Sequence, residues 1–243
     1  MFSRGNVTEK KRFASFVQEG ECVLDMYAGI GYYTLPALIH GKAKTVTACE
    51  WNPNAIYALK HNLQANGVQD RVTVLEGDCR ESLRALFDSG DVTDTIKQFD
   101  RVSLGLLPSS EGGWDIAIAS LNQTTGGWLH IHGNVPTAER NLWSHWVCQS
   151  LFFLTKKHLY SKDWNAICVH VERVKSFAPL VDHLVADVFV GPTNSPKLSL
   201  KYSVGSTGVI DSSGQFHQTD VGEVISPSCA LGKDGILHQD WLK

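Results

Sequence analysis

The chain has 243 residues, 43% of them hydrophobic and 19% charged, enough for one sizeable core with a small appendage. A net charge of −3 and a pI of about 6.3 exclude a binder that works through bulk positive charge. Six cysteines with no CxxC pair point away from a zinc site or a disulfide framework and toward reduced thiols in an intracellular protein.

In chain order, residues 1–20 read as an N-terminal segment. Arg4, Lys10, Lys11 and Arg12 face only Glu9 in charge, a local basic patch that suits an RNA backbone as well as a solvated terminus. Asn6 to Glu9 offers helix caps, and Phe13, Phe16 and Val17 give a helical apolar pattern over Lys10–Val17 that Gly20 ends. No signal peptide precedes the first strand, and no apolar run approaches the roughly 18 residues of a membrane span, so a soluble cytoplasmic protein with no membrane partner is expected.

Strand and helix patterns then alternate. Strands are expected at Cys22–Tyr27, Thr45–Glu50, Val72–Gly77, Asp100–Leu107, Trp128–Val135, Ala166–Val174 and Asp182–Val190. Helices are expected after Gly31 to about His40, from Pro53 to Asn66-Gly67, and over Cys79–Phe87, Trp114–Leu121 and Leu142–Leu159. Asp88–Lys97 reads as an acidic loop. Helices between strands imply a mostly parallel sheet with right-handed crossovers. Only a short loop with Pro179 separates the last two strands, which predicts an antiparallel hairpin at the sheet edge. Residues 193–243 are rich in Ser, Gly, Thr, Lys and Asp and read as a polar tail, with one possible strand over Leu198–Val204.

The chemistry concentrates at the carboxyl ends of the strands. Asp25-Met26-Tyr27-Ala28-Gly29-Ile30-Gly31 is a strand end and glycine turn where open α/β sheets bind ligands. Gly29 and Gly31 let the backbone adopt positive φ and lie against a ligand, and the following helix start offers unpaired amides. Glu50, at the end of the second strand, is placed to accept ribose hydroxyls. Asp78, after the third strand, suits either an adenine amino group or the N-cap of the next helix. The third glycine of a dinucleotide fingerprint is missing and the closing hairpin does not suit that fold, so S-adenosylmethionine is favoured over a nicotinamide. The loop after the fourth strand, Pro108-Ser109-Ser110-Glu111, offers two hydroxyls and a carboxylate, or simply a capped turn. His130 and His132 share one strand face; no third ligand has metal spacing, so they read as core histidines, one of which could meet substrate, and no metal is expected. Trp51, Trp114 and Trp128 are candidates to stack on bases.

Taken together, Met1–Lys10, Asp25–Pro36, Ala48–Pro53, Leu104–Glu111 and Leu129–His132 resemble the catalytic domain of the tRNA wybutosine-synthesizing protein 2 family, relatives of the tRNA guanine-N1 methyltransferases. The resemblance covers about residues 1–191, and its specific part is the Pro-Ser-Ser-Glu loop, where the methyltransferases carry an Asn-Pro type loop. It implies a Rossmann-like class I S-adenosylmethionine-dependent methyltransferase fold, with a seven-stranded, mostly parallel sheet and an antiparallel edge hairpin. Residues 21–191 would be the catalytic domain and 192–243 a tail of unassigned role. The implied reaction moves the 3-amino-3-carboxypropyl group of S-adenosylmethionine to the 4-demethylwyosine base beside the anticodon of tRNA(Phe), releasing 5′-methylthioadenosine.

By the same resemblance Asp25, Tyr27, Gly29, Gly31, Glu50, Trp51, Asn52, Asp78, Cys79 and Arg4 would hold the cofactor. Ser109, Ser110 and Glu111 would line the reacting end, and Arg4, Asn6, Lys10, Arg12 and His132 would meet substrate or RNA. Family members carry a further N-terminal portion that helps grip tRNA, so a fragment or short form is expected, working as a monomer. The rival readings are a tRNA guanine-N1 methyltransferase and a non-catalytic module that binds S-adenosylmethionine.

Overall fold

A computed structural model describes residues 6–88, 98–159, 163–198, 206–220, 222 and 225–231. The chain divides after Gly105 into two compact units.

The first unit begins with helix α1 (Val7–Phe16) and alternates β1 (Cys22–Asp25), α2 (Thr34–Ile39), β2 (Thr45–Glu50), α3 (Pro53–Ala65), β3 (Val72–Glu76), α4 (Cys79–Asp88) and β4 (Arg101–Leu104). The strands lie in the order β3-β2-β1-β4 and every pair is parallel. Their apolar runs have the composition of strands covered on both faces, and Val23, Leu24, Val46, Ala48 and Val102 are all buried. Register aligns Asp25 with Ala48 and Ser103, and Glu50 with Glu76, so the acids finish at one edge of the sheet. Pro53 opens α3 behind its cap Asn52, and Gly67, at φ +65°, follows its end. Phe13 and Tyr33 meet edge to face over Leu38, Leu59 and Leu63, which ties α1 to the core. Asn6 stands at the N-cap of α1 in a left-handed conformation, but its side chain makes no capping bond, so the expected cap is absent.

The second unit holds α5 (Trp114–Ser120), β5 (Gly127–Pro136), α6 (Arg140–Leu159), β6 (Trp164–Ala178), β7 (Val181–Pro192), β8 (Thr207–Ile210) and β9 (Phe216–Gln218), with strand order β5-β7-β6-β8-β9. The expected antiparallel hairpin is β6–β7, and it runs further at both ends than the apolar pattern suggested. Three register shifts along β6 accommodate the extra length.

The sheet continues past this hairpin, through the segment that composition marked as a polar tail. β8 pairs parallel to β6 and β9 pairs antiparallel to β8. Gly208 lets the two approach: a Cβ there would lie 2.3 Å from the His217 carbonyl. Side chains of α6 secure the segment, since His145 Nδ1 lies 2.7 Å from the Thr219 hydroxyl and Gln149 donates to the Asp220 carbonyl at 2.7 Å. The strand expected over Leu198–Val204 falls almost wholly outside the described residues, as does most of the Asp88–Lys97 loop.

One buried ion pair ties the N-terminal segment to β4. Arg101 Nε donates to Glu21 at 2.7 Å, and Nη2 donates to the Phe16 carbonyl at 2.8 Å. Removing the guanidinium leaves a largely buried carboxylate without its charge partner. Arg101→Ala should therefore lower stability by about 3–5 kcal/mol in urea denaturation, more than a surface pair would cost.

Candidate functional site

The glycine turn after β1 is built by main-chain bonds that glycine geometry permits. Ala28 N donates to the Cys49 carbonyl at 2.9 Å, and Gly31 N donates to the Ala28 carbonyl at 2.8 Å. Gly29 sits at φ +57° and Gly31 at φ +102°. A Cβ on Gly31 would press within 3.2 Å of Leu35 and Leu59. The spacing of Gly29 and Glu50 becomes a direct bond, as the Gly29 amide donates to Glu50 Oε2 at 2.7 Å. Glu50 Oε1 receives the amides of Trp51 at 3.0 Å and Asn52 at 2.8 Å. The carboxylate thus fixes the turn and the strand end together, and a lone pair on Oε2 remains for a hydroxyl donor. The free amides expected at the helix start are instead largely consumed within the turn: Gly29 binds Glu50, and both Gly31 and Tyr32 bind Ala28.

Asp25 is fully buried. Thr34 Oγ1 donates to its Oδ2 at 2.7 Å, and its Oδ1 has no hydrogen-bond partner. Burial pushes its pKa up to about 6; the Thr34 bond opposes this, and the charge of Glu50 adds to it. Asp78 serves as the N-terminal cap of α4, accepting the Arg80 amide at 2.8 Å, and the Arg80 guanidinium grips both its oxygens. That grip, outweighing burial, holds the Asp78 carboxyl below the usual range. Burial, followed by the Asp78 charge, pushes the neighbouring Cys79 thiol up to about 11. Asn52 caps α3 by accepting the Asn54 amide at 2.9 Å. Trp51 is 72% exposed, with its ring free of the core.

Sequence reasoning missed three supports of this cradle. Thr34 holds Asp25, Arg80 clamps Asp78, and Asn62 Nδ2 donates to the Ile30 carbonyl at 2.9 Å. The signal for Asn62 was a polar residue beside the buried stripe Ile56, Leu59 and Leu63 of α3.

Of the proposed RNA contacts in this unit, Arg4 lies outside the described residues. Lys10 places its ammonium 4.5 Å from the centre of the Tyr32 ring, just past the glycine turn, and partial burial lowers its pKa. Arg12 is paired with the buried Glu9 at 2.7 Å, which gives it a structural partner. Asn6 Oδ1 is buried without a hydrogen-bond partner.

In the second unit the Pro-Ser-Ser-Glu loop is zipped onto β5. Asn134 N donates to the Pro108 carbonyl at 2.9 Å, and Ser109 bridges Gly133 in antiparallel fashion. Ser109 Oγ donates to Glu111 Oε1 at 2.8 Å. Ser110 is buried, and its Oγ accepts the Trp114 indole N–H at 3.0 Å. Glu111 is 3% exposed, and the Leu231 amide donates to it, at 3.1 Å from Oε1 and 3.0 Å from Oε2. The loop is therefore an ordered polar structure and not a loose capped turn. His132 Nδ1 lies 2.9 Å from His183 Nε2, and His130 Nδ1 lies 2.6 Å from Asp187, all four side chains buried. Burial, with Lys175 adding, lowers His183 to about 4, so it is neutral at physiological pH. Among the described residues no three His, Cys, Asp or Glu side chains group as metal ligands. Trp114 proves to be core, packed on Trp146, so it is no stacking platform, while half-buried Trp128 meets Phe189 edge to face.

A glycine turn bonded to a carboxylate 21 residues on, in a β3-β2-β1-β4 parallel array, is the geometry of an adenosyl site. The sequence model described as the TRM5/TYW2 methyltransferase domain matches residues 1–142. The chain belongs to the TRM5/TYW2 methyltransferase domain family. Within that family it is 45% identical over 188 residues to the Arabidopsis thaliana protein named tRNA wybutosine-synthesizing protein 2/3/4, an alignment covering 77% of this chain and 18% of that one. It is 39% identical over 225 residues to the Danio rerio tRNA wybutosine-synthesizing protein 2 homolog, covering 79% of this chain and 51% of the relative. The chain thus spans about half the length of this animal relative or less of the plant protein. A crystal structure of M. jannaschii TYW2 in complex with AdoMet superposes with a TM-score of 0.62 at 30% identity, covering 79% of this chain and 78% of that one. The fold is that of the S-adenosylmethionine-dependent methyltransferases, as the resemblance implied. Among the described residues no helix is long and apolar enough to cross a membrane.

Two outcomes follow. Gly31→Val, forced to positive φ and against Leu35 and Leu59, should weaken S-adenosylmethionine binding at least about tenfold in calorimetry, with Gly29→Val acting in the same direction. In the folded chain the Asp25 carboxyl titrates at about 6, above the ordinary aspartate value near 3.8, so the folded chain holds the extra proton between those values. Stability should therefore fall by roughly 3 kcal/mol as pH rises from about 4 to 6 and then level off. Urea denaturation across that range should show this component in the parent and not in Asp25→Asn.

Proposed function

We propose that this chain is the catalytic portion of an aminocarboxypropyltransferase that modifies the 4-demethylwyosine base of tRNA(Phe) in wybutosine biosynthesis, with S-adenosylmethionine as co-substrate. The Pro108–Glu111 loop carries the reading: it replaces the Asn-Pro loop of amino-methyltransferases with two serines and a carboxylate, fastened to β5. The relatives named for wybutosine synthesis and the AdoMet complex of M. jannaschii TYW2 support it.

The residues fit the co-substrate. The glycine turn gives an adenosyl group a surface without side chains, and Glu50 Oε2 is available to a ribose hydroxyl. Exposed Trp51 offers a face to the adenine, while buried Asp25, with its unpartnered Oδ1, offers an acceptor to a cationic or hydroxyl donor. Asp78, held by Arg80, and Cys79 beside it are assigned to the adenine side of the cradle. Lys10 and the basic N-terminal residues suit the methionine carboxylate or an RNA phosphate.

In the reaction a base carbon attacks the methionine Cγ, the Cγ–S bond breaks with its electron pair going to sulfur, and 5′-methylthioadenosine leaves uncharged. The base carbon then loses its proton. The sulfonium already activates the carbon under attack, so the protein's contribution is chiefly to hold nucleophile and Cγ–S bond in line. Ser109, Ser110 and Glu111 are assigned to the base side of that alignment, where Ser109 fixes the geometry of Glu111 and Ser110 anchors the loop to Trp114.

A tRNA guanine-N1 methyltransferase is the second reading, because the family description spans both activities. Incubation with tRNA bearing the tricyclic base, and S-adenosylmethionine labelled either in the methyl or in the carboxypropyl carbons, separates the two. Carboxypropyl label should enter the RNA; methyl label alone on the RNA would overturn the reading.

A further inference from the structure

Pro227 to Leu231 crosses the Ser109–Glu111 loop and is held at two carboxylates. Ser228 donates its amide and hydroxyl to Glu139 Oε2 at 2.7 and 2.9 Å, and the Leu231 amide donates to both oxygens of Glu111. A turn closes between them, the Ala230 amide binding the Pro227 carbonyl at 3.0 Å. This segment lies beyond residues 1–142 matched by the family model, and it meets the site described above only at Glu111.

Two features mark the attachment as reversible. Among the described residues, Ser228 and Leu231 supply its bonds to Glu139 and Glu111, while Leu231 itself is 40% exposed and Ile225 is 56% exposed. Pro227 is buried, but a segment held by so few bonds and ending in an exposed Leu231 opens at low free energy. Glu111, in contrast, is an acceptor kept out of water, so whatever replaces the Leu231 amide must bring an N–H or O–H of its own. A purine-type base presents such a donor on its edge, in the same role that the main-chain amide now fills.

We infer that Pro227–Leu231 is a strap whose Leu231 N–H occupies the Glu111 carboxylate, and that an N–H of the incoming RNA base displaces it. This rests on the reading of the loop as the base-binding side. The strap supplies its own reporter. Cys229 lies between the two anchors, and burial, with the charges of Glu139 and Glu111 adding, pushes its thiol up to about 11. A closed strap therefore keeps the thiol slow toward alkylating reagents, and an open one exposes an ordinary thiol.

The test compares the parent chain with Leu231→Pro, which removes the N–H, and Leu231→Ala, which keeps it. Iodoacetamide labelling of Cys229 is read by peptide mass at pH 8, with and without tRNA bearing the tricyclic base. Leu231→Pro should label about tenfold faster than the parent and half-saturate at several-fold lower tRNA, while Leu231→Ala stays parent-like in both. Saturating tRNA should accelerate Cys229 labelling in the parent. The strap is overturned if Leu231→Pro labels at the parent rate, if Leu231→Ala matches Leu231→Pro, or if saturating tRNA leaves parent labelling unchanged or slows it. Failure to transfer either label of S-adenosylmethionine overturns the proposed reaction alone, since labelling of the protein needs no turnover.

Discussion

The bond between the Gly29 amide and the Glu50 carboxylate is the constraint on which the first unit's site depends. It joins the turn after β1 to the end of β2, and the same carboxylate gathers the amides of Trp51 and Asn52 where α3 begins. Any movement of one strand end would cost several charge-assisted bonds at once. The turn is therefore held in shape before a ligand arrives, and rigid placement is what a reaction governed by alignment requires.

Much of this unit could be read from the residues. Helix patterns between the strand patterns marked the parallel sheet, Pro53 and Gly67 bracketed α3, and the spacing from Gly29 to Glu50 marked the carboxylate. What could not be read was which partner each polar group would choose. Asp78 carried two readings, and the neighbouring Arg80 decides in favour of a clamped helix cap while leaving an adenine contact to experiment. Thr34 and Asn62 support Asp25 and Ile30 through distances that no local pattern encodes.

The second unit shows the opposite balance. The hairpin was visible from Pro179 between two apolar runs, yet composition hid β8 and β9. Their apolar positions are few, and they gain their place from pairing with β6 and from polar bonds to α6 instead of from a stripe of their own. Trp114 looked like a stacking platform because tryptophan serves both roles; its burial and its bond to Ser110 make it a pillar of the loop. The same bond explains how a Ser-rich stretch, flexible by composition, holds one shape.

The parallel pairing of β8 with β6 also covers a main-chain edge. Ala166, Ile167 and Cys168, whose side chains are buried, would present an unpaired main-chain edge if β8 were absent. Such an edge invites strands from neighbouring molecules, and most natural sheets cover it, twist it or charge it. Here a short segment of modest hydrophobicity does the covering, with β9 and its charged turn outside it. A chain ending after β7 would keep the cradle and the loop but would expose a strand able to template aggregation, so the residues least similar in composition to the rest guard the solubility of the whole.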